Sequence, residues 1–241
     1  MADRTALARG RTALIGKCLA RLGAPYDGQV GQGAPVKDNE RRYGLADAEL
    51  AGTSGYHLPG AHQTNQRSEE YPAPIAPLVA GEVPEYNGAA VPEGGCAGEA
   101  LRELHEQEMN EPLVFAQKLN MAGYRNFQQD PAVTAVNTRW SACMKESGYD
   151  YPDPLAAIND KEFSGAEPTD REKAVALADV RCKQKVNLIG VWAATETAYQ
   201  QQLIKENSAE LEKGLAAKRV TMSAATAAVS GAAVSGAAAA S

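Results

Sequence analysis

At 241 residues the chain is long enough for one large domain or two small ones, either able to bury a core without disulfides. Its hydrophobic fraction of 44% is rich in Ala, with only 3 Phe and 2 Trp, so a thin core built from helix packing is expected. A net charge of -6 and a pI near 5.2 argue against nucleic acid or anionic membrane as the main partner, since both demand clustered positive charge.

The basic residues Arg4, Arg9, Arg11, Lys17 and Arg21 read as the solvated face of a helix. No run reaches the roughly 18 apolar residues of a membrane helix, and the N-terminal residues lack the apolar core of a signal peptide. If the protein is exported, its leader is absent from this numbering.

Leu7, Leu14, Ile15, Cys18, Leu19 and Leu22 recur at helical spacing and predict a helix over about 4–22. Asp3 suits its start, Arg21 the negative end of its dipole, and Gly23 followed by Pro25 its end. From Pro25 to Gly95 the chain is crowded with Gly, Pro, Asn and Gln and reads as a long irregular insert. Within it, Leu45 to Leu50 suggests a short helix. Asn87-Gly88 has the chemistry of a two-residue hairpin turn, with Pro84 and Pro92 confining the hairpin to an edge.

Helical periodicity returns after Cys96. Asn110 and Pro112 read as the cap and first turn of a helix ending at Gly123, and Asp130-Pro131 opens another that stops at Gly148. Thr169-Asp170-Arg171-Glu172 has the form of a capping box. The stripe Leu177, Val180, Leu188, Trp192, Tyr199 and Leu203 then predicts one long helix to about Gly214, able to cross other helices or pair with a second molecule. The expected units are 1–123, 124–220 and a low-complexity Ala/Ser/Gly tail, 221–241, read as disordered or weakly helical.

Cys18, Cys96, Cys143 and Cys182 lie 78, 47 and 39 positions apart, too far for a zinc motif or a thioredoxin-like pair. Ile15-Gly16-Lys17-Cys18-Leu19 with Gly23 and Tyr26 has the same offsets as Trp140-Ser141-Ala142-Cys143-Met144 with Gly148 and Tyr151. This internal echo suggests a repeated unit in which a helix-end Cys pins a later helix, and it favours Cys18 with Cys96 and Cys143 with Cys182. The alternative is four buried thiols in a cytoplasmic protein.

Lys17-Cys18-Leu19 with Leu22-Gly23, Arg42-Tyr43-Gly44-Leu45, Gly55-Tyr56-His57-Leu58-Pro59, Val91 to Cys96 and Trp140 to Gly148 together resemble uncharacterised secreted or lipoprotein-like proteins of actinomycetes, of streptomycete type. The resemblance implies export and brings no assigned activity.

Complete catalytic motifs are missing. His57 and His62 stand five apart in a loop without a nearby acidic or Cys partner, and His105-Glu106 is followed by Met109 where a zinc-protease helix needs its second His. Gly28, Gly31 and Gly33 lack the order of a dinucleotide loop. Gly52-Thr53-Ser54-Gly55 misses the nucleophile elbow by one position, and Glu99, Glu103 and Glu106 read as a solvated helix face. The candidates for a ligand or partner surface are Tyr56, His57, His62, Trp140, Tyr151, Trp192 and Tyr199; the aromatics at helical spacing have core packing as the competing role.

The expected protein is therefore mainly α, a disulfide-stapled helical domain with long irregular Gly/Pro-rich loops and one small β-hairpin. Its expected place is secreted or at the cell surface, as a non-enzymatic binding or structural protein without a cofactor. The expected partner is a protein or cell-envelope component, or a second copy. The alternatives are an oligomeric scaffold built on the C-terminal helix and a secreted enzyme whose most chemical segment is 53–62.

Overall fold

A computed structural model describes residues 2–24, 26, 41–58 and 71–238. The Gly28, Gly31, Gly33 stretch and His62 lie outside them. The described chain forms ten α-helices, one 3-10 turn and one two-stranded hairpin. It divides into two compact units, the first from Met1–Lys37, Thr64–Ala116 and Ser208–Ser241, the second from Asp38–Gln63 and Gln117–Asn207. The units are thus interleaved in sequence, where contiguous stretches 1–123 and 124–220 were expected.

In the first unit, α1 (Ala2–Arg21) buries Ile15, Cys18 and Leu19, with Leu22 just past its end. Asp3 does not cap it; its carboxylate pairs instead with Lys218 at 2.6 Å. The apolar face of α1 meets Leu78 and Val79 on α3 (Ala76–Ala80), and Cys96 and Ala100 on α4 (Gly95–Glu103). Close approach is needed here, because a Cβ on Gly81 or Gly95 would fall 2.3 Å from the other's backbone nitrogen. That approach seats Cys96 for its bridge to Cys18, with Cα atoms 5.6 Å apart.

The hairpin forms as its turn residues dictate. β1 (Glu85–Tyr86) pairs antiparallel with β2 (Ala89–Ala90) across Asn87 and Gly88, both at positive φ.

Helix α5 (Glu106–Gln128) starts four residues before Asn110 and runs past Gly123, with Pro112 inside it. His105, in the left-handed region at φ 54°, separates α4 from α5 and lets the new helix begin at once. The last described helix, α10 (Ser208–Ala238), carries most of the expected low-complexity tail as helix, which excludes the disordered reading as far as Ala238. Thr221 and Ala225 are wholly buried within this unit. A Cβ on Gly10 of α1 would lie 2.8 Å from the Ala225 Cα, so absent side chains are what let α1 and α10 approach.

The second unit holds α2 (Ala48–Ser54), α6 (Pro131–Glu146), α7 (Pro154–Ile158), a 3-10 turn (Lys161–Phe163), α8 (Asp170–Lys185) and α9 (Leu188–Glu206), with the C-terminal part of α5. Asp47, Asp130, Asp153, Asp160 and Thr169 each cap a helical start by accepting a backbone N–H. Phe127, Val136, Trp140, Met144, Val180 and Trp192 form the centre of its core. The single long helix expected after Thr169 is three helices. Asn187 breaks it in the left-handed conformation (φ 53°) that Asn tolerates, and Asn207 ends α9. The stripe Leu177, Val180, Leu188, Trp192 and Tyr199 therefore folds back on its own unit.

α1 and α6 end identically. Gly23 (φ 74°) donates to the Ala20 carbonyl at 3.0 Å and Ala24 to Leu19 at 2.9 Å. Gly148 (φ 87°) donates to Lys145 at 3.0 Å and Tyr149 to Met144 at 3.0 Å. Both are the paired closure of a Schellman cap, five residues after a bridged cysteine. Replacing Gly148 with Ala should cost about 1–2 kcal/mol of left-handed strain, since nothing else occupies that space. Gly23→Ala should cost more, because its Cβ would press at 3.1 Å on the Asn87 amide that donates to the Leu22 carbonyl. Urea melts of both variants check this, and equal losses would remove the contact argument.

Candidate functional site

The second unit carries a row of buried charge along one face of α8. Glu172, Asp179 and Lys183 are spaced seven and four residues apart, which places them on one stripe of a 3.6-residue helix, and all three are at most 1% exposed. Buried charges need partners, and each of these finds them in other segments of the same unit.

Lys183 donates to Asp179 Oδ2 at 2.8 Å and to the Leu45 carbonyl at 2.9 Å. Asp179 Oδ1 accepts from Trp140 Nε1 at 3.0 Å. Burial raises the Asp179 carboxyl above its usual range, against the opposing pull of Lys183. The Tyr56 hydroxyl is buried near this carboxylate but outside hydrogen-bonding geometry. Burial first, and the Asp179 charge second, push its ionisation far up.

Glu172 sits where a capping box would turn its carboxylate back on the N-cap. Thr169 Oγ1 does accept from the Glu172 N–H at 3.1 Å. The carboxylate, however, is diverted: Oε1 accepts from the Tyr56 N–H at 2.7 Å and bonds His57 Nδ1 at 2.9 Å. Gly55 makes this possible, because a Cβ there would stand 2.5 Å from Oε1. The second oxygen, Oε2, is buried without a hydrogen-bond partner among the described residues.

His57 closes the arrangement through Nε2, 2.9 Å from the Gly165 carbonyl. A carbonyl only accepts, so Nε2 donates; Nδ1 facing a carboxylate donates as well. Both bonds together suit the doubly protonated ring, and its pKa is raised chiefly by the Gly165 carbonyl and then by Glu172. Arg41 secures the same turn by donating to the Tyr56 carbonyl at 2.8 Å and the His57 carbonyl at 3.1 Å.

Of the residues singled out in the sequence, Tyr56, His57 and Trp140 converge on this row. Trp192 lies elsewhere in the core, donating to Asn137 Oδ1 at 3.1 Å and packed edge-on against Tyr43 at 6.2 Å. Tyr151 donates to Asp160 Oδ2 at 2.6 Å, and Tyr199 to Asp130 Oδ2 at 3.2 Å, so both tie down helix caps. Trp140 and Trp192 are thus core residues and present no recognition surface.

Glu172, Asp179 and Lys183 themselves are not marked as a site by the sequence, nor is Glu196, 2% exposed at its side chain, which accepts from both Arg42 and Gln200. Arg42 also stacks 4.7 Å above the Tyr124 ring. A signal is present nonetheless: Asp179 falls inside the apolar run Val175, Ala176, Ala178, Val180, Cys182, and Lys183, at i,i+4 spacing from it, directly follows the run. Among the described residues no group of three His, Cys, Asp or Glu side chains is placed to hold a metal ion.

Together these features define a mainly α-helical protein stapled by two disulfides, Cys18 to Cys96 and Cys143 to Cys182, each within one unit. Compared with family models, with curated proteins and with solved structures, the chain matches none.

Proposed function

We propose that the protein works outside the cytoplasm as a non-enzymatic binding or structural protein of the cell exterior, assembled from two copies of a helix-and-disulfide unit. The observation that carries this is the pair of bridges, which engage all four cysteines of the chain. Bridges of this kind persist in oxidising compartments and are rare in reducing ones. No described helix is long and apolar enough to cross a membrane.

Support for duplication comes from the matching helix ends and from the order of the helices after them. Within its own unit, and among the described residues, each capped helix is followed by a five-residue helix containing Pro-Leu-x-Ala, α3 or α7, ahead of the helix that carries the second cysteine, although in the first unit's stretch of chain α2 also falls between α1 and α3 and the hairpin between α3 and α4. The histidine of the most chemical segment, His57, has both ring nitrogens engaged within the protein, by Glu172 and by the Gly165 carbonyl.

Peptide mass spectrometry of unreduced protein taken from its producing cells should show both bridges. Cross-linking on intact cells should return an envelope protein or polymer. Four alkylatable thiols in freshly isolated protein, or cross-linking that returns no partner, would count against the proposal.

The scaffold alternative keeps one supporting feature. Leu215 and Val229 of α10, two heptads apart, are exposed on one face of the helix. Light scattering at micromolar concentration that gave only the monomer mass of 25.4 kDa would remove it.

A further inference from the structure

We propose that His57 is a pH-sensitive latch that fastens the 164–168 strap, between the 3-10 turn and α8, to the turn after α2. The geometry is a proton-dependent tie between three segments: the turn at 55–58, the N-terminal end of α8 through Glu172, and the strap through the Gly165 carbonyl. The strap residues 164–167 are exposed, whereas Phe163 beside them is buried with its ring 5.8 Å from Tyr56.

A neutral imidazole has one N–H and cannot serve both acceptors. Glu172 has the stronger claim on it, being a wholly buried carboxylate whose other oxygen has no hydrogen-bond partner among the described residues. The neutral ring therefore keeps Nδ1–H toward Glu172 and turns the Nε2 lone pair on the Gly165 carbonyl. Two acceptors then face each other and the strap loses its tie at Gly165.

The groups facing His57 act in one direction. Glu172 from α8 and Glu167 from the strap both favour the charged ring, and the Arg41 guanidinium is engaged with backbone carbonyls of the turn. The latched ring titrates above the ordinary histidine value of 6.5, so the latch is complete below the open-state pKa and is lost as pH rises through the latched one.

The test is an NMR titration of the His57 ring nitrogens combined with hydrogen-exchange protection factors of amides 164–168. His57 should carry protons on both nitrogens at low pH and titrate above its value in the unfolded chain. Protection of the strap should fall by up to about tenfold per pH unit between the two pKa values and then level off, as one-proton linkage requires. In His57→Gln, which cannot titrate, protection should be flat over the same range.

Wild-type protection that is flat with pH would overturn the latch. So would a His57 titrating at or below the unfolded value, or the same pH dependence persisting in His57→Gln. Should that variant fail to fold, the wild-type titration and protection profile decide alone.

Discussion

Replacing Cys143 and Cys182 together by Ala is expected to lower the unfolding free energy of the second unit by about 4 kcal/mol. The figure is the chain entropy that a 39-residue loop regains once its crosslink is gone. The 78-residue loop closed by Cys18 and Cys96 should be worth slightly more, about 4.5 kcal/mol, to the first unit. The logarithm of loop length makes the two nearly equal despite a twofold difference in span. Both tryptophans, Trp140 and Trp192, lie in the second unit's core, so their fluorescence during denaturation reports that unit alone. The Cys143/Cys182 variant should therefore shift the fluorescence midpoint, while the Cys18/Cys96 variant shifts only the helical circular dichroism of the other unit. Unchanged midpoints in both signals would show that the bridges do not constrain the unfolded chain.

The second large effect belongs to Lys183. Changing it to Met keeps the stem in the core but deletes the ammonium, leaving the Asp179 carboxylate buried without its cation and the Leu45 carbonyl without its donor. Breaking one side of a buried pair costs about 3–5 kcal/mol, enough to unfold a marginal unit. The loss should be pH-dependent. Burial already lifts the Asp179 carboxyl above its unfolded value, and removing Lys183 lifts it further. The folded variant then binds a proton that the unfolded chain releases, so its stability rises as pH falls into that window. Adding Asp179→Asn should restore much of the loss, because the amide oxygen still accepts from Trp140 Nε1. Thermal melts of the single and double variants at pH 5 and pH 8 decide the matter. A double variant no more stable than Lys183→Met would sink the unpaired-charge explanation.

The parts of the fold readable in sequence are those governed by neighbours along the chain. Asn87-Gly88 specifies its turn through two residues that accept positive φ, and Asp130 and Thr169 cap helices through oxygens two or three residues from the N–H they accept. Gly23 and Gly148 close their helices for the same local reason. The cysteine pairing is legible because each bridge involves such a marked helix end.

The features hidden in the sequence depend on residues far apart. Glu172 has the spacing of half a capping box, and only the arrival of Tyr56 and His57, more than a hundred positions earlier, draws its carboxylate away. Asp179 and Lys183 stand out locally only as charges set against an apolar run, and the carbonyl of Leu45, which receives the Lys183 ammonium, lies 138 positions away. The tail at 221–238 carries no amphipathic signal, since Ala, Ser and Gly cover every side of it. What places it against α1 includes Gly10, whose missing side chain leaves room for Ala225. Asn187 is hidden in a run without proline, where only its own tolerance of the left-handed conformation marks the break.

The packing of α1 against α10 also sets a schedule. The segments of the second unit are all present in a chain that reaches residue 207, whereas α1 keeps an open face until α10 is added. α1 precedes every segment of the second unit in the chain and is completed after all of them. A chain that stops short of Ser208 has every segment of the second unit and an α1 that has lost the cover for Gly10, so truncation there should expose the first unit and not the second to proteolysis.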